Sequence, residues 1–244
     1  MASTRSLQNV VSWAQGFVNG RLLAGQGGVP GEPALSIANS VLGFILGPPF
    51  AWPWNRNRGT INTTLQTGSS TAYNQSYTVA LPDFGWLESA TIVDSTGMEY
   101  PLEVRLLLED STDPGRPDYL SAEGDDGAGN ITFKLYCVPD GVYTIKFIYQ
   151  KKPVLFTSLA GKWAPIPDEK QYIYNSGFLA WAFENIDDGR FGPEYQKFVR
   201  YLLSASEGLT DTQKSVFLEE KLSETRQQQN AMMGAQQGRS SRGA

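Results

Sequence analysis

The chain contains no histidine and a single cysteine, Cys137. The first absence removes Ser-His and Cys-His nucleophile systems and most transition-metal sites, since imidazole is the usual base in one and the commonest ligand in the other. The second excludes an intrachain disulfide and fits a reducing compartment. No GxSxG elbow, Walker loop or GxGxxG turn occurs. Long apolar runs are missing too. The longest, VLGFILGPPFAW at 41–52, is too short for a bilayer and is broken by prolines. The start, MASTRSLQNVV, lacks a basic region followed by an apolar core, so no signal peptide is read there. The expectation is a chain that is soluble when made, with no membrane partner.

What is present bounds the rest. A chain of 244 residues buries most of its unfolded surface without staples. The net charge of −5 argues against nucleic acid as the main partner. Residues 109–126 hold Glu109, Asp110, Asp113, Asp118, Glu123, Asp125 and Asp126 against Arg116 alone. That segment carries −6 and leaves about +1 for everything else.

Hydrophobic spacing divides the chain. Leu7, Val10, Val11, Ala14 and Phe17 recur at helical spacing over 6–18, and a glycine-rich gap follows at 25–33. Ala34, Ala38, Val41, Leu42 and Ile45 form one stripe of a helix over 33–46, opened by Pro33 and stopped by Gly47 and Pro48. The period then becomes two. Tyr77, Val79 and Leu81 alternate with polar residues, as do Leu102 to Leu108, Ile131 to Cys137 and Tyr143 to Tyr149. The runs 130–138 and 142–150 predict a hairpin across Pro139-Asp140-Gly141, and Ser95-Thr96-Gly97 predicts the turn of another. About six strands are expected over 59–154, with 109–130 as a long acidic loop. Beyond Pro167 the helical period returns. Asp168 with Gln171, and Thr210 with Gln213, read as capping boxes. Residues 168–186 are apolar nearly all round, which predicts a deeply buried helix, and a shorter helix covers 193–206. The end, ETRQQQNAMMGAQQGRSSRGA, carries too little apolar surface to order itself.

The predicted fold is therefore α+β: a helical bundle of N-terminal and C-terminal helices with an inserted antiparallel β domain. Residues 1–58 supply N-terminal helices and an aromatic connector, 59–154 the β domain, 155–223 the C-terminal helices and 224–244 a flexible arm.

Candidate chemistry is sparse. Cys137 lies on the apolar face of a strand pattern and reads as a buried structural thiol. Glu184 and Asp188 stand one helical turn apart, and a carboxylate pair of this kind can hydrolyse a glycosidic bond; solvated helix ends look the same. Asp187 and Asp188 close a helix at the end where the dipole disfavours anions. Either Arg190 or an arginine of another chain answers them. AEGDDGAGN at 122–130 has oxygen ligands for calcium but not the DxDxDG spacing, and a solvated loop explains it. No cofactor is expected. Arg226, Arg239 and Arg242 fit contact with nucleic acid or, with Met232 and Met233, docking of an arm on a protein partner.

The most unusual stretch is PPFAWPWNRNRG at 48–59. Prolines stiffen it, so Phe50, Trp52 and Trp54 ride on an extended connector beside Arg56 and Arg58. One reading is that the rings close the core of the β domain. The other is an aromatic anchor at a subunit contact, where Trp and Arg supply most binding energy and a stiff segment loses little entropy.

Trp52-Pro53-Trp54-Asn55-Arg56 resembles the aromatic element found early in head-to-tail adaptor (head-completion) proteins of tailed bacteriophages. Tyr73–Pro82 with Phe84–Ile92 resembles the opening of their β part, and Ile166–Leu203 their later helices. The resemblance implies a non-enzymatic ring of about twelve copies. Its partners are the portal protein and a tail or nozzle protein, and DNA only passes through the channel. The location implied is the virion neck, with assembly in the host cytoplasm. Phe50, Trp52, Trp54, Arg56, Arg58, Asp187, Asp188 and Arg190 become subunit-interface candidates, and Arg226, Met232, Met233, Arg239 and Arg242 a portal-docking arm. Another tail or neck structural protein, and a cell-wall glycoside hydrolase of the virion, stand as alternative readings.

Overall fold

The computed structural model describes residues 3–18, 25, 30–68, 71–107, 109 and 111–224. Residues 26–29 of the glycine-rich gap, Leu108 and Asp110 lie outside them, as does the C-terminal stretch with Arg226, Met232, Met233, Arg239 and Arg242. The chain divides into two compact units, Met1–Ile45 with Val154–Ala244, and Leu46–Pro153.

In the first unit, helix α1 spans Leu7–Gln15 and is opened by a capping box in which Asn9 N donates to Ser6 Oγ (3.4 Å) and Ser6 N to Asn9 Oδ1 (3.1 Å). Helices α2 (Ala34–Leu46), α3 (Gln171–Asn185) and α4 (Phe191–Ala205) follow, and residues 211–224 form α5. The box expected before α5 is made: Gln213 N donates to Thr210 Oγ1 (3.3 Å) and Thr210 N to Gln213 Oε1 (2.9 Å). The box expected at Asp168 is not. A short 3-10 turn, Asp168–Lys170, precedes α3, and the Asp168 carboxylate instead accepts from Ser3 Oγ (2.7 Å) and Thr4 Oγ1 (2.8 Å). Two hydroxyls and a backbone N–H outcompete a single helix-end N–H. As its composition predicts, α3 is buried on most sides. At Gly177, where a Cβ would come within 2.8 Å of Val41 Cγ1 and 2.9 Å of the Phe198 ring, three helices approach closely. Phe44 anchors this unit, its ring 5.8 Å from Trp181, 5.4 Å from Phe198 and 6.4 Å from Phe217.

The second unit is one curled seven-stranded sheet plus a two-stranded ribbon. In chain order the strands are β1 (Arg56–Asn62), β2 (Ser76–Ala80), β3 (Phe84–Val93), β4 (Glu99–Val104), β5 (Pro114–Gly115), β6 (Tyr119–Asp125), β7 (Asn130–Tyr136), β8 (Val138–Pro139) and β9 (Thr144–Lys151). The sheet runs β1-β9-β3-β4-β6-β7-β2, and β5 pairs with β8. Its two edges, β1 and β2, are consecutive in the chain. Leu65 bridges Tyr73, and Asn74 N donates to Thr64 O at 2.8 Å, so the edges are drawn together at one end and the sheet is close to closing. Inward residues alternate as the period of two requires: Ile61, Ile92, Leu102, Leu120, Ile131, Phe133, Leu135, Ile145 and Phe147 form one core.

These observations correct the expected fold class. The molecule is not a helical bundle carrying an inserted antiparallel β domain. The large curled sheet is its main body, and its five described helices are short, none above 15 residues. The acidic segment, expected as a loop, contributes β5 and β6. The sheet is also mixed, since β4 and β6 pair in parallel. The hairpin across Pro139-Asp140-Gly141 does not form. β7 pairs with β6 and β2, while β9 pairs with β1 and β3. Phe133 and Phe147 meet across the interior instead, ring centroids 4.8 Å apart. The other predicted turn is present: β3 and β4 pair antiparallel, with Gly97 at φ 83 accommodating the left-handed corner.

Candidate functional site

The connector begins at Pro48 and Pro49 and enters β1 through a 3-10 turn, Pro53–Asn55, where Asn55 N donates to Trp52 O (3.0 Å). Its rings stack in series. Trp52 lies 6.2 Å from Phe50 and 5.2 Å from Trp54, with interplanar angles of 21° and 20°. Phe50 and Trp52 are buried, and Trp54 is half-buried. The connector is tied to the sheet by polar atoms. Arg56 sits opposite Gln150 in the register, and its guanidinium pairs with Glu88, Nε to Oε2 at 2.8 Å. Gln150 is fully buried and donates to Glu88 Oε2 (2.7 Å) and Trp52 O (3.3 Å). Asn55 Nδ2 donates to Lys151 O (2.9 Å).

At the surface this segment leaves Pro48, Pro49, Pro53, part of Trp54, Asn57 and the arginines. Arg58 is exposed and has no ion pair among the described residues. It borders a shallow hollow of about 390 Å³ on the outer sheet face, with Thr60, Ser89, Thr91, Glu99 and Lys146.

The second candidate group sits at the end of α3. Asp187 is exposed at φ 53, a left-handed corner that Asp tolerates. Arg190 supplies the local answer to Asp188, donating to both carboxylate oxygens from Nε (2.9 Å) and Nη2 (2.6 Å). Those bonds and the Arg190 backbone N–H hold the Asp188 pKa down at about 2. Arg190 also lies over the Phe183 ring at 4.3 Å and donates to Phe17 O (2.9 Å). Burial pushes the Glu184 carboxyl up. Each candidate group thus belongs to its own unit.

Other expectations are revised. Cys137 is half-buried between β7 and β8 rather than enclosed on an apolar face; burial raises its thiol pKa, and Sγ lies 3.8 Å from Arg116 O. The 122–130 stretch is a hairpin corner in which the Asp126 carboxylate accepts from Ala128 N (2.7 Å), Asn130 N (3.1 Å) and Asn130 Nδ2 (2.6 Å). Among the described residues no group of carboxylates and cysteine gathers to hold a metal ion. Glu88 and Gln150, which fix the connector, carry no signal in the sequence: strand register alone puts Gln150 opposite Arg56, and Glu88 falls at the irregularity between Leu87 and Ser89 of β3, one strand further on.

The class of protein these features define is structural. Side chains with unusual composition hold chain segments to one another and present aromatic and guanidinium groups on a rigid sheet. Residues 51–218 match the family described as SU10 adaptor protein, and the chain belongs to that family. It is a phage head-to-tail adaptor and a structural component of the virion. The matched span takes in the aromatic element, all nine strands, α3, α4 and the first eight residues of α5; α1, α2 and the C-terminal stretch lie outside it. No curated protein matches the chain. No helix of the described residues is long and apolar enough to cross a membrane.

Proposed function

We propose that copies of this adaptor close into a ring of about twelve in the neck, with the portal on one side and a tail or nozzle protein on the other. DNA passes through the channel without being a specific ligand. The chain is made in the host cytoplasm and docks there on a finished portal. Family membership across residues 51–218 carries this reading. The surface chemistry supports it. A ring needs two different faces that fit each other. Half-buried Trp54 and exposed Arg58, four residues further on, offer aromatic and guanidinium groups, and exposed Asp187 offers an anionic one.

Negative-stain imaging of the protein mixed with its portal tests it. A ring seated on the portal is expected. Dispersed single molecules and a bare portal would overturn the proposal. Trp54→Ala with Arg58→Glu should retain the fold and lose the ring.

A further inference from the structure

After β4 and Arg105 the chain breaks its alternation with three consecutive leucines, and the two that are described, Leu106 and Leu107, stand in solvent. Leu106 is 97% exposed and Leu107 78%. Arg105 N donates to Leu120 O (3.0 Å), and Leu106 O accepts from Ser121 Oγ (3.0 Å), so the backbone is pinned to β6. Beside it Arg105 lies flat over the Tyr119 ring at 3.6 Å, and Tyr119 packs on Tyr136 at 5.8 Å. Arg105, Leu107, Glu109, Tyr119 and Tyr136 line a hollow of about 440 Å³. Its floor is aromatic and exposed Glu109 lines it; exposed Glu103 and Asp118 stand close to Arg105 and Tyr119 in the chain and are paired with Arg105 (3.1 Å) and Arg116 (3.8 Å), which leaves these five charges net negative. Exposed apolar side chains on a fixed backbone mark a contact surface.

The chain itself contains a segment of matching chemistry. Residues 225–244 hold Arg226, Arg239 and Arg242 and no acid, and Met232-Met233 lie between the arginines. Two methionines are suited to an irregular aromatic-floored hollow, because their unbranched side chains adapt and sulfur packs favourably on rings. Three cations answer an acidic rim.

We propose that residues 225–244 of one copy dock on the Leu106-Leu107 hollow of a neighbouring copy, methionines inward and arginines on the acidic rim. The portal-docking role is then secondary for this segment. The inference rests on the ring reading only for the presence of a neighbour.

A fluorescein-labelled synthetic peptide of residues 225–244, titrated with the full-length protein and followed by anisotropy, tests it. Saturable binding is expected. Met232→Ser with Met233→Ser in the peptide should weaken it about tenfold through lost apolar contact, without touching the protein's fold. Glu109→Arg with Asp118→Arg in the protein should weaken the native peptide at least about tenfold. A peptide with its three arginines changed to Glu should bind that variant better than the native protein. Absence of saturable binding, or binding indifferent to both the methionine and the charge changes, overturns the contact. No peptide capture by the dispersed full-length protein, alongside a ring that forms once the portal is added, would sink this inference and leave the ring standing.

Discussion

Trp54 stacks on Trp52 at 5.2 Å and 20°, yet the inner ring is 1% exposed while the outer is only half-buried. One pair of tryptophans two residues apart therefore divides its labour. Trp52 closes a core, and Trp54 carries an aromatic face to the surface on a base that cannot give. Substitutions should separate the roles. Trp52→Ala empties a fully enclosed site and should cost about 3–5 kcal/mol in urea unfolding. Trp54→Ala should cost about 1 kcal/mol, mostly the lost stacking, and abolish ring assembly on the portal. Equal destabilisation by the two would contradict the division.

Gly177 gives a prediction in which propensity and packing disagree. Alanine in mid-helix gains about 1 kcal/mol over glycine. Here the new methyl would meet Val41 Cγ1 at 2.8 Å and the Phe198 ring at 2.9 Å, and neither the β-branched side chain nor the buried ring can swing away. Overpacking of that kind costs about 1–3 kcal/mol. Gly177→Ala should lower the thermal midpoint, and a raised midpoint would show that the three helices can move apart at no cost.

Gln150 should behave as the tie between connector and sheet. Its side-chain N–H groups serve Glu88 and Trp52 O inside the protein. Gln150→Leu keeps the volume and removes both bonds, while Arg56 Nε still serves Glu88 Oε2 and Asn55 N still serves Trp52 O, for an expected loss of about 0.5–1.5 kcal/mol. Quenching of tryptophan fluorescence by acrylamide should rise at the same time, because Trp52 loses its anchor. An unchanged quenching constant would place the anchor elsewhere.

The helices were legible because each announces itself locally. Thr210 with Gln213 supplies a cap, and the 3.6-residue stripes of α1 and α2 face one way. The strands were legible in the same local sense, since a period of two names the buried face. It does not name the neighbour. β7 and β9 are separated by a short segment and look like a hairpin, yet a second ribbon, β5 with β8, diverts the chain between them. The helical segments therefore looked like the body of the fold when the sheet was. The site shows the same limit. Its odd composition was visible, but burial of Phe50 and Trp52 and the hold of Glu88 on Arg56 depend on register between strands remote in sequence.

The Asp188–Arg190 pair makes a prediction whose sign follows from its chemistry. Arg190 holds the Asp188 carboxyl at about 2 in the folded chain, against about 3.9 for an unperturbed aspartate. A depressed folded pKa means the ionised form is favoured by folding. Its contribution is complete above about pH 4 and disappears as pH falls from about 4 to about 2. Asp188→Asn removes that dependence while keeping the shape. Urea midpoints of the native protein and the variant should differ at pH 6 and converge on acidification to about pH 2. Asp168, whose carboxyl is also held low by the hydroxyls of Ser3 and Thr4, remains in both proteins and cancels in the comparison. A gap that stays constant across the acid range would mean the pair contributes nothing through ionisation. The result also bears on assembly. Arg190 is engaged by Asp188, Phe17 O and the Phe183 ring within its own chain. Loss of ring formation in Arg190→Ala therefore counts toward an interface only after the loss of fold stability has been subtracted, whereas loss in Asp187→Asn, at an exposed carboxylate, counts directly.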